Sequence, residues 1–201
     1  MKSGKEKWKV NDPKTALLVI DVQEGVTGKD GKFGFGYERS GDFIANMNRL
    51  VTHAKEAGWE VCYVAEVTHW YFAVPAFMTH FAFMKGSDGA KLDSRLVVAG
   101  DNYFEKVRAS AFTNKNLVKF LEDKGIERLV VCGLAADACA GATAKSAVVK
   151  GYRVTVASDA CMAETDAKAQ GAFQELEAMD VRLASTTTIL TIPVTPIPRG
   201  L

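Results

Sequence analysis

Short apolar runs alternate with longer amphipathic stretches along this chain, and the alternation predicts strands and helices in turn. Residues 16–20, Ala-Leu-Leu-Val-Ile, form the first apolar run, which ends at Asp21. Phe43, Ile44, Met47, Leu50, Val51 and Ala54 then recur at helical spacing, with Asp42 near the start and Gly58 as the stop. Residues 61–67 read as the second strand, and 103–105 as a short third one with Lys106 just beyond its end. Leu117, Val118, Phe120 and Leu121 mark a helix that Gly125 closes. Residues 129–132 form the central strand, followed by a helix over 140–150, a fifth strand over 154–157, a helix over 167–179 and a sixth strand over 181–184. Six strands joined by helices predict an α/β, three-layer doubly wound fold on a six-stranded parallel sheet. In such folds ligands bind beyond the carboxyl ends of the strands.

Composition narrows the class. With 201 residues, 48% of them apolar, the chain can bury a full core. It reads as a single domain, with a core over about 15–190 and an extended, proline-bearing tail over 191–201. A net charge of +1, with both signs interspersed, offers no basic face for nucleic acid or an anionic membrane. The polar first residues lack the apolar stretch of a signal peptide, and no run approaches the length of a bilayer. Four cysteines (Cys62, Cys132, Cys139 and Cys161) show neither a secreted framework spacing nor a CxxC pair, which points to a reducing, cytoplasmic setting.

The candidate chemistry gathers at strand ends. Asp21 ends the first strand, Lys106 follows the third, and Cys139 lies past the fourth in Gly133-Leu134-Ala135-Ala136-Asp137-Ala138-Cys139. That loop leads straight into a helix, where unpaired N–H groups and the positive helix end favour a thiolate and offer donors to an oxyanion. Each residue also has a plain structural reading: a loop-capping aspartate, a solvated lysine, a buried thiol.

These segments resemble the isochorismatase-like cysteine hydrolase superfamily, which includes nicotinamidases and N-carbamoylsarcosine amidohydrolases. The resemblance runs from about Thr15 to Leu190. It rests on the strand 15–23 ending at Asp21, the Lys106-Val107-Arg108-Ala109-Ser110-Ala111-Phe112 segment, the loop ending at Cys139, and the strand 151–160. It implies a C–N hydrolase acting through a Cys139 thioester, with Asp21 as general base and acid and Lys106 as the organising cation. It also implies a cis peptide bond between Leu134 and Ala135, turning the Ala135 N–H toward the Cys139 N–H as an oxyanion hole. Ala136 stands where many members carry threonine, so one hydroxyl contact is missing.

The resemblance bears on metal and pocket as well. His69 matches the first histidine of the nicotinamidase metal motif, but Val67 replaces its aspartate, Glu66 is expected on the opposite face of the strand, and His80 is poorly spaced. No metal and no cofactor are expected. Phe33, Phe35 and Tyr37, on a glycine-rich segment, and His69 and Trp70 after the second strand are the expected pocket residues, with Ala136. The aromatic residues 70–84 serve either the pocket or a subunit interface, and a homodimer or homotetramer is expected. The competing functions are isochorismatase-type vinyl ether hydrolysis and a non-catalytic, redox-sensing scaffold of the same fold.

Overall fold

The computed structural model describes residues 14–71 and 81–191. The polar start, the aromatic positions Phe72 and Phe77, His80 and the tail after Thr191 therefore lie outside the described residues. Six strands, β1 (Thr15–Ile20), β2 (Glu60–Glu66), β3 (Tyr103–Lys106), β4 (Arg128–Leu134), β5 (Arg153–Met162) and β6 (Arg182–Ala184), make one sheet in the order β3-β2-β1-β4-β5-β6. Every pairing is parallel. All six residues of β1 are buried, as a strand covered on both faces requires.

Helices follow the strands: α1 (Glu24–Thr27), α2 (Ser40–Glu56), α3 (Lys115–Asp123), α4 (Cys139–Val149), α5 (Asp166–Ala178) and α6 (Thr186–Leu190). α2 and α6 pack together, with α2 against β1, β2 and β5, while α4 packs on β4, β5 and α5. The Phe43, Ile44, Met47, Leu50 and Val51 face of α2 is buried in the core, so its helical periodicity is spent on sheet contact. Side-chain caps start three of the helices: Asn114 accepts from the N–H groups of Asn116 and Leu117, Thr165 from that of Lys168, and Ser185 from that of Thr188. No helix among the described residues is long and apolar enough to cross a membrane.

The strand order reverses between β1 and β4, because the chain first winds outward through β2 and β3 and then returns to the other side of β1. A crevice opens at such a reversal, beyond the carboxyl ends of the two strands. Close approach of β1 and β4 there depends on Gly133, at φ +116°, where an added Cβ would collide with the Ile20 carbonyl oxygen.

Several strands exceed their sequence signal, β4 among them, which runs on from 132 to Leu134. β5 is expected over 154–157 but continues to Met162 through Ser158 and Asp159, across a register shift against β4 between Val131 and Gly133. Asp159 is held by α6, accepting from the Thr186 N–H (2.6 Å) and hydroxyl (2.7 Å), so a polar interruption becomes an anchored irregularity. β3 includes Lys106 as its last residue, paired beside Glu66 of β2. The short helices α1 and α6 carry too few turns to show a period in sequence.

Candidate active site

Asp21 is the first residue after β1. It takes φ +52°, a left-handed conformation that aspartate tolerates better than most residues, and its N–H donates to the Val64 carbonyl (2.8 Å). Lys106, at the end of β3, has a side chain with no solvent exposure; its Nζ lies 2.7 Å from Asp21 Oδ2 and 3.6 Å from Glu66 Oε2. The nearer contact is an ion pair without a hydrogen bond's direction, and Asp21 Oδ1 has no hydrogen-bond partner among the described residues. Oxygens of Asp21 and Glu66 and Sγ of Cys139 all lie within 4.8 Å of one another. Three strand ends thus deliver two carboxylates and an ammonium to the thiol at the start of α4.

Glu66 is the residue that sequence reasoning misplaced. It was expected to face away from the site, but it ends β2 in the crevice beside Lys106. The signal was available, since Glu66 occupies a strand's carboxyl end just as Asp21 and Lys106 do. Its backbone is clamped by the buried Gln23 amide, which donates to the Glu66 carbonyl and accepts from the Glu66 N–H, both at 2.9 Å. Gln23 has no chemical motif of its own; only the tertiary pairing reveals its part.

The electrostatics follow from burial around one cation. Desolvation pushes Asp21 and Glu66 above the ordinary carboxylate range, and in both cases Lys106 pulls back only part of that rise. Burial would lower Lys106, but Asp21, Cys139 and Glu66 together outweigh it and hold the ammonium firmly protonated. Burial, then the Asp21 charge, raises Cys139 well above its usual value despite Lys106. Burial thus opposes the thiolate that the helix start favours, so an attack calls on a base.

In the turn before α4, the Leu134–Ala135 peptide bond is cis. The Ala135 carbonyl accepts from the N–H groups of Ala138 (2.9 Å), Ala140 (3.1 Å) and Gly141 (3.4 Å), which folds the loop onto the helix start. The Ala136 N–H is taken by the Met162 carbonyl (2.9 Å), whereas those of Ala135 and Cys139 donate to no described residue.

Cys139 opens into a cavity of about 280 Å³ walled by Val26, Phe33, Phe35, Phe83 and Leu134, with Asp137, Glu164 and Lys168 also on its lining. A larger hollow of about 520 Å³, beside Lys29 and Asp88, contains none of Asp21, Lys106 and Cys139. Of the expected pocket residues, Phe33 and Phe35 line the Cys139 cavity. Tyr37 does not, because its ring lies under the Arg95 guanidinium, 3.9 Å away. His69 stacks on Tyr71 (5.2 Å), Trp70 is 81% exposed, and Ala136 is buried behind the loop; none of the three lines this cavity.

Arg95 and Arg39 fasten the segment that carries Phe33 and Phe35. Arg95 pairs with buried Asp93 (2.6 Å) and donates to the Thr27 and Tyr37 carbonyls, while Arg39 donates to the Ala163 and Glu164 carbonyls, both at 2.9 Å. Burial pushes Asp93 up, but hydrogen bonds from Arg95 and Thr27 outweigh it and leave its carboxyl below the usual value of 3.8. A depressed carboxylate contributes stability that is complete above its unfolded value and is lost as pH falls through the folded one. Arg95→Met is therefore expected to cost about 2–4 kcal/mol at pH 7 by stranding the Asp93 charge. The deficit should shrink as pH falls toward and through 3.8, because burial makes the stranded Asp93 protonate more readily once Arg95 is gone. Urea unfolding at pH 7 and in the acid range checks this, and an equal deficit in both contradicts it.

The family model described as the Isochorismatase domain matches residues 15–188, nearly all of the described chain. The chain belongs to the isochorismatase family. An uncharacterised isochorismatase family protein of Bacillus subtilis is 31% identical over 152 residues, covering 75% of this chain and 79% of that protein. A probable inactive nicotinamidase of Arabidopsis thaliana is 33% identical over 178 residues, covering 80% and 84%. Among solved structures, N-carbamoylsarcosine amidase from Thermoplasma acidophilum superposes with a TM-score of 0.74 at 26% identity, covering 86% of this chain and 96% of that one. The protein is thus an isochorismatase-family hydrolase with amidases among its relatives.

Some relatives of this family carry zinc, as a pyrazinamidase from Pyrococcus horikoshii does. The described residues do not fit such an ion. Asp21, Glu66 and Cys139 form the one tight ligand cluster among the described residues, but the Lys106 ammonium already sits at 2.7 and 3.6 Å from its two carboxylates. His69 is turned to Tyr71, and Val67 is buried with no ligand atom. A second cation beside Lys106 would meet direct repulsion.

Proposed function

We propose that this chain is a cysteine hydrolase, one catalytic domain that cleaves the C–N bond of a small amide or carbamoyl compound through a Cys139 thioester. The observation that carries the reading is the meeting of Asp21, after β1, with Cys139, at the start of α4, on one partly apolar cavity, with Lys106 of β3 paired to Asp21 behind it. Asp21, raised by burial above the ordinary carboxylate range, is a stronger base than an ordinary aspartate. Asp21 Oδ1 takes the thiol proton while Sγ attacks the carbonyl carbon. The carbonyl oxygen becomes an oxyanion received by the Ala135 and Cys139 N–H groups. Protonated Asp21 then gives its proton to the leaving nitrogen, the C–N bond breaks, and amine or ammonia departs. Water, deprotonated by Asp21, adds to the thioester; the C–S bond breaks, and the thiol and Asp21 carboxylate are restored. Lys106 stays protonated throughout and holds the charge of whichever partner is anionic.

The kinship with an N-carbamoylsarcosine amidase supports C–N chemistry, and the thiol nucleophile, with four free cysteines, suits a reducing cytoplasm. Exposed Trp70, Tyr71 and Phe81 support association of copies into a homo-oligomer.

The test is incubation with a panel of primary amides, carbamoyl compounds and isochorismate, followed by intact mass and peptide mapping. An acyl or carbamoyl adduct on Cys139, with release of ammonia, is the expected result. Isochorismate turnover without an adduct would instead support vinyl ether hydrolysis. Inertness to every compound, with reversible Cys139 oxidation, would support a sensor.

A further inference from the structure

Glu66 is not used by the proposed reaction, yet its carboxylate lines the same cavity. The Gln23 clamp fixes its backbone on both sides. Its nearest cation, Lys106, stands 3.6 Å from Oε2, beyond a hydrogen bond, and is engaged more closely by Asp21 at 2.7 Å. Its side chain is 17% exposed, and that exposure is to the crevice lined by Phe33, Phe35 and Leu134. The other charged groups on this lining are differently occupied: Lys168 pairs with Glu164 at 2.6 Å, and Asp137 is exposed to solvent. Asp21, 5% exposed in the same cavity, is held by Lys106 and faces the Cys139 thiol, so Glu66 is the carboxylate left for a ligand.

The geometry of attack assigns directions. An acyl carbon poised about 3 Å from Sγ directs its oxygen to the Ala135 and Cys139 N–H groups and its leaving nitrogen to Asp21. The third substituent of that carbon is left for the remaining side of the site, where Glu66 lies within 4.8 Å of Sγ. We propose that Glu66 is a specificity-determining residue whose carboxylate accepts from an N–H on that third substituent, so that the site selects ureas and other carbamoyl compounds and rejects amides carrying an anionic group there. This rests on the cysteine hydrolase reading for the direction of attack. An anion at that position would face two carboxylates sharing one ammonium, and a hydrocarbon would bury a carboxylate without a donor; an N–H meets both conditions.

Three probes separate these cases. Phenylurea and benzamide share a ring and a primary amide and differ by one N–H, and oxamate places a carboxylate on the carbonyl carbon. Binding is measured by calorimetry in Cys139→Ala protein, with and without Glu66→Gln, so that no turnover interferes. The expected result is phenylurea bound about tenfold or more tightly than benzamide with Glu66 present, a preference that shrinks to within about threefold in the Glu66→Gln background. Oxamate should bind at least about tenfold more tightly after that substitution. A phenylurea-to-benzamide ratio unaltered by Glu66→Gln, an equal loss for all three probes, or no phenylurea preference at the start overturns the assignment. Adduct formation by the wild-type protein reports separately on the hydrolase reading. An adduct with an unaltered binding ratio sinks only the role of Glu66; no adduct with any amide sinks the reaction, while the ratio still tests the acceptor.

Discussion

Replacing Cys139 by alanine is expected to lower hydrolysis of any accepted amide by about 10⁴-fold or more and to remove the covalent adduct. The reason is that no other thiol or hydroxyl lines the cavity among the described residues, and its one lining amine, Lys168, is paired with Glu164. The fold should be indifferent. Cys139 is only partly buried, at the first residue of α4, and alanine keeps the helix start while deleting one sulfur atom. The melting temperature is therefore expected to stay within a few degrees of the parent protein. Asparagine at position 21 should give a similar loss of turnover, because a thiol raised by burial stays protonated without a base. Full turnover in purified Cys139→Ala protein, measured as ammonia release, would end the nucleophile assignment. A loss of turnover accompanied by unfolding would be separated from it by the melting curve.

The second large effect falls on stability. Lys106→Met should cost about 3–5 kcal/mol near neutral pH, or roughly 6–20 °C in melting temperature for a chain of this size. The side chain of Lys106 has no solvent exposure, and those of Asp21 and Glu66 are only 6% and 17% exposed. Without the ammonium, two neighbouring buried carboxylates face each other with no counter-charge. Both already lie above their ordinary range because burial outweighs Lys106, and removing Lys106 raises them further. A carboxylate whose folded pKa exceeds its unfolded one binds more protons in the folded state. Its penalty therefore grows as pH rises and fades as pH falls toward the unfolded value. The melting deficit of Lys106→Met should be largest at pH 8 and smaller at pH 5, and adding Asp21→Asn should recover part of it. A Lys106→Met protein as stable as the parent at pH 8 would show that the lysine is not the counter-charge described.

The same cluster explains why some of the site was legible in advance and some was not. Asp21, Lys106 and Cys139 stood out because each chemical residue follows an apolar run, and parallel sheets place such positions along one edge. Glu66 satisfies the same rule, but strand alternation alone points it away, and its place beside Lys106 depends on the pairing of β2 with β3. Tyr37 and Trp70 offer only aromatic content near glycine or a strand end. Arg95 draws the first ring away, and the second faces solvent. The upward pull on the thiol could not be read from the helix start, since burial comes from walls that segments far apart in the sequence bring together.

The linear order of apolar and polar residues was enough to establish six strands, their intervening long helices and the carboxyl-end addresses of three reactive groups. These are local properties, set by periodicity and by residues that start or stop an element. What only the folded chain decided was which of those addresses share a cavity, which charges neutralise one another, and where β5 ends. Those outcomes depend on the return of β4 beside β1 and on contacts such as Asp159 to Thr186 and Gln23 to Glu66. Their partners lie 27 and 43 residues apart in the sequence, and no local pattern encodes the distance between them.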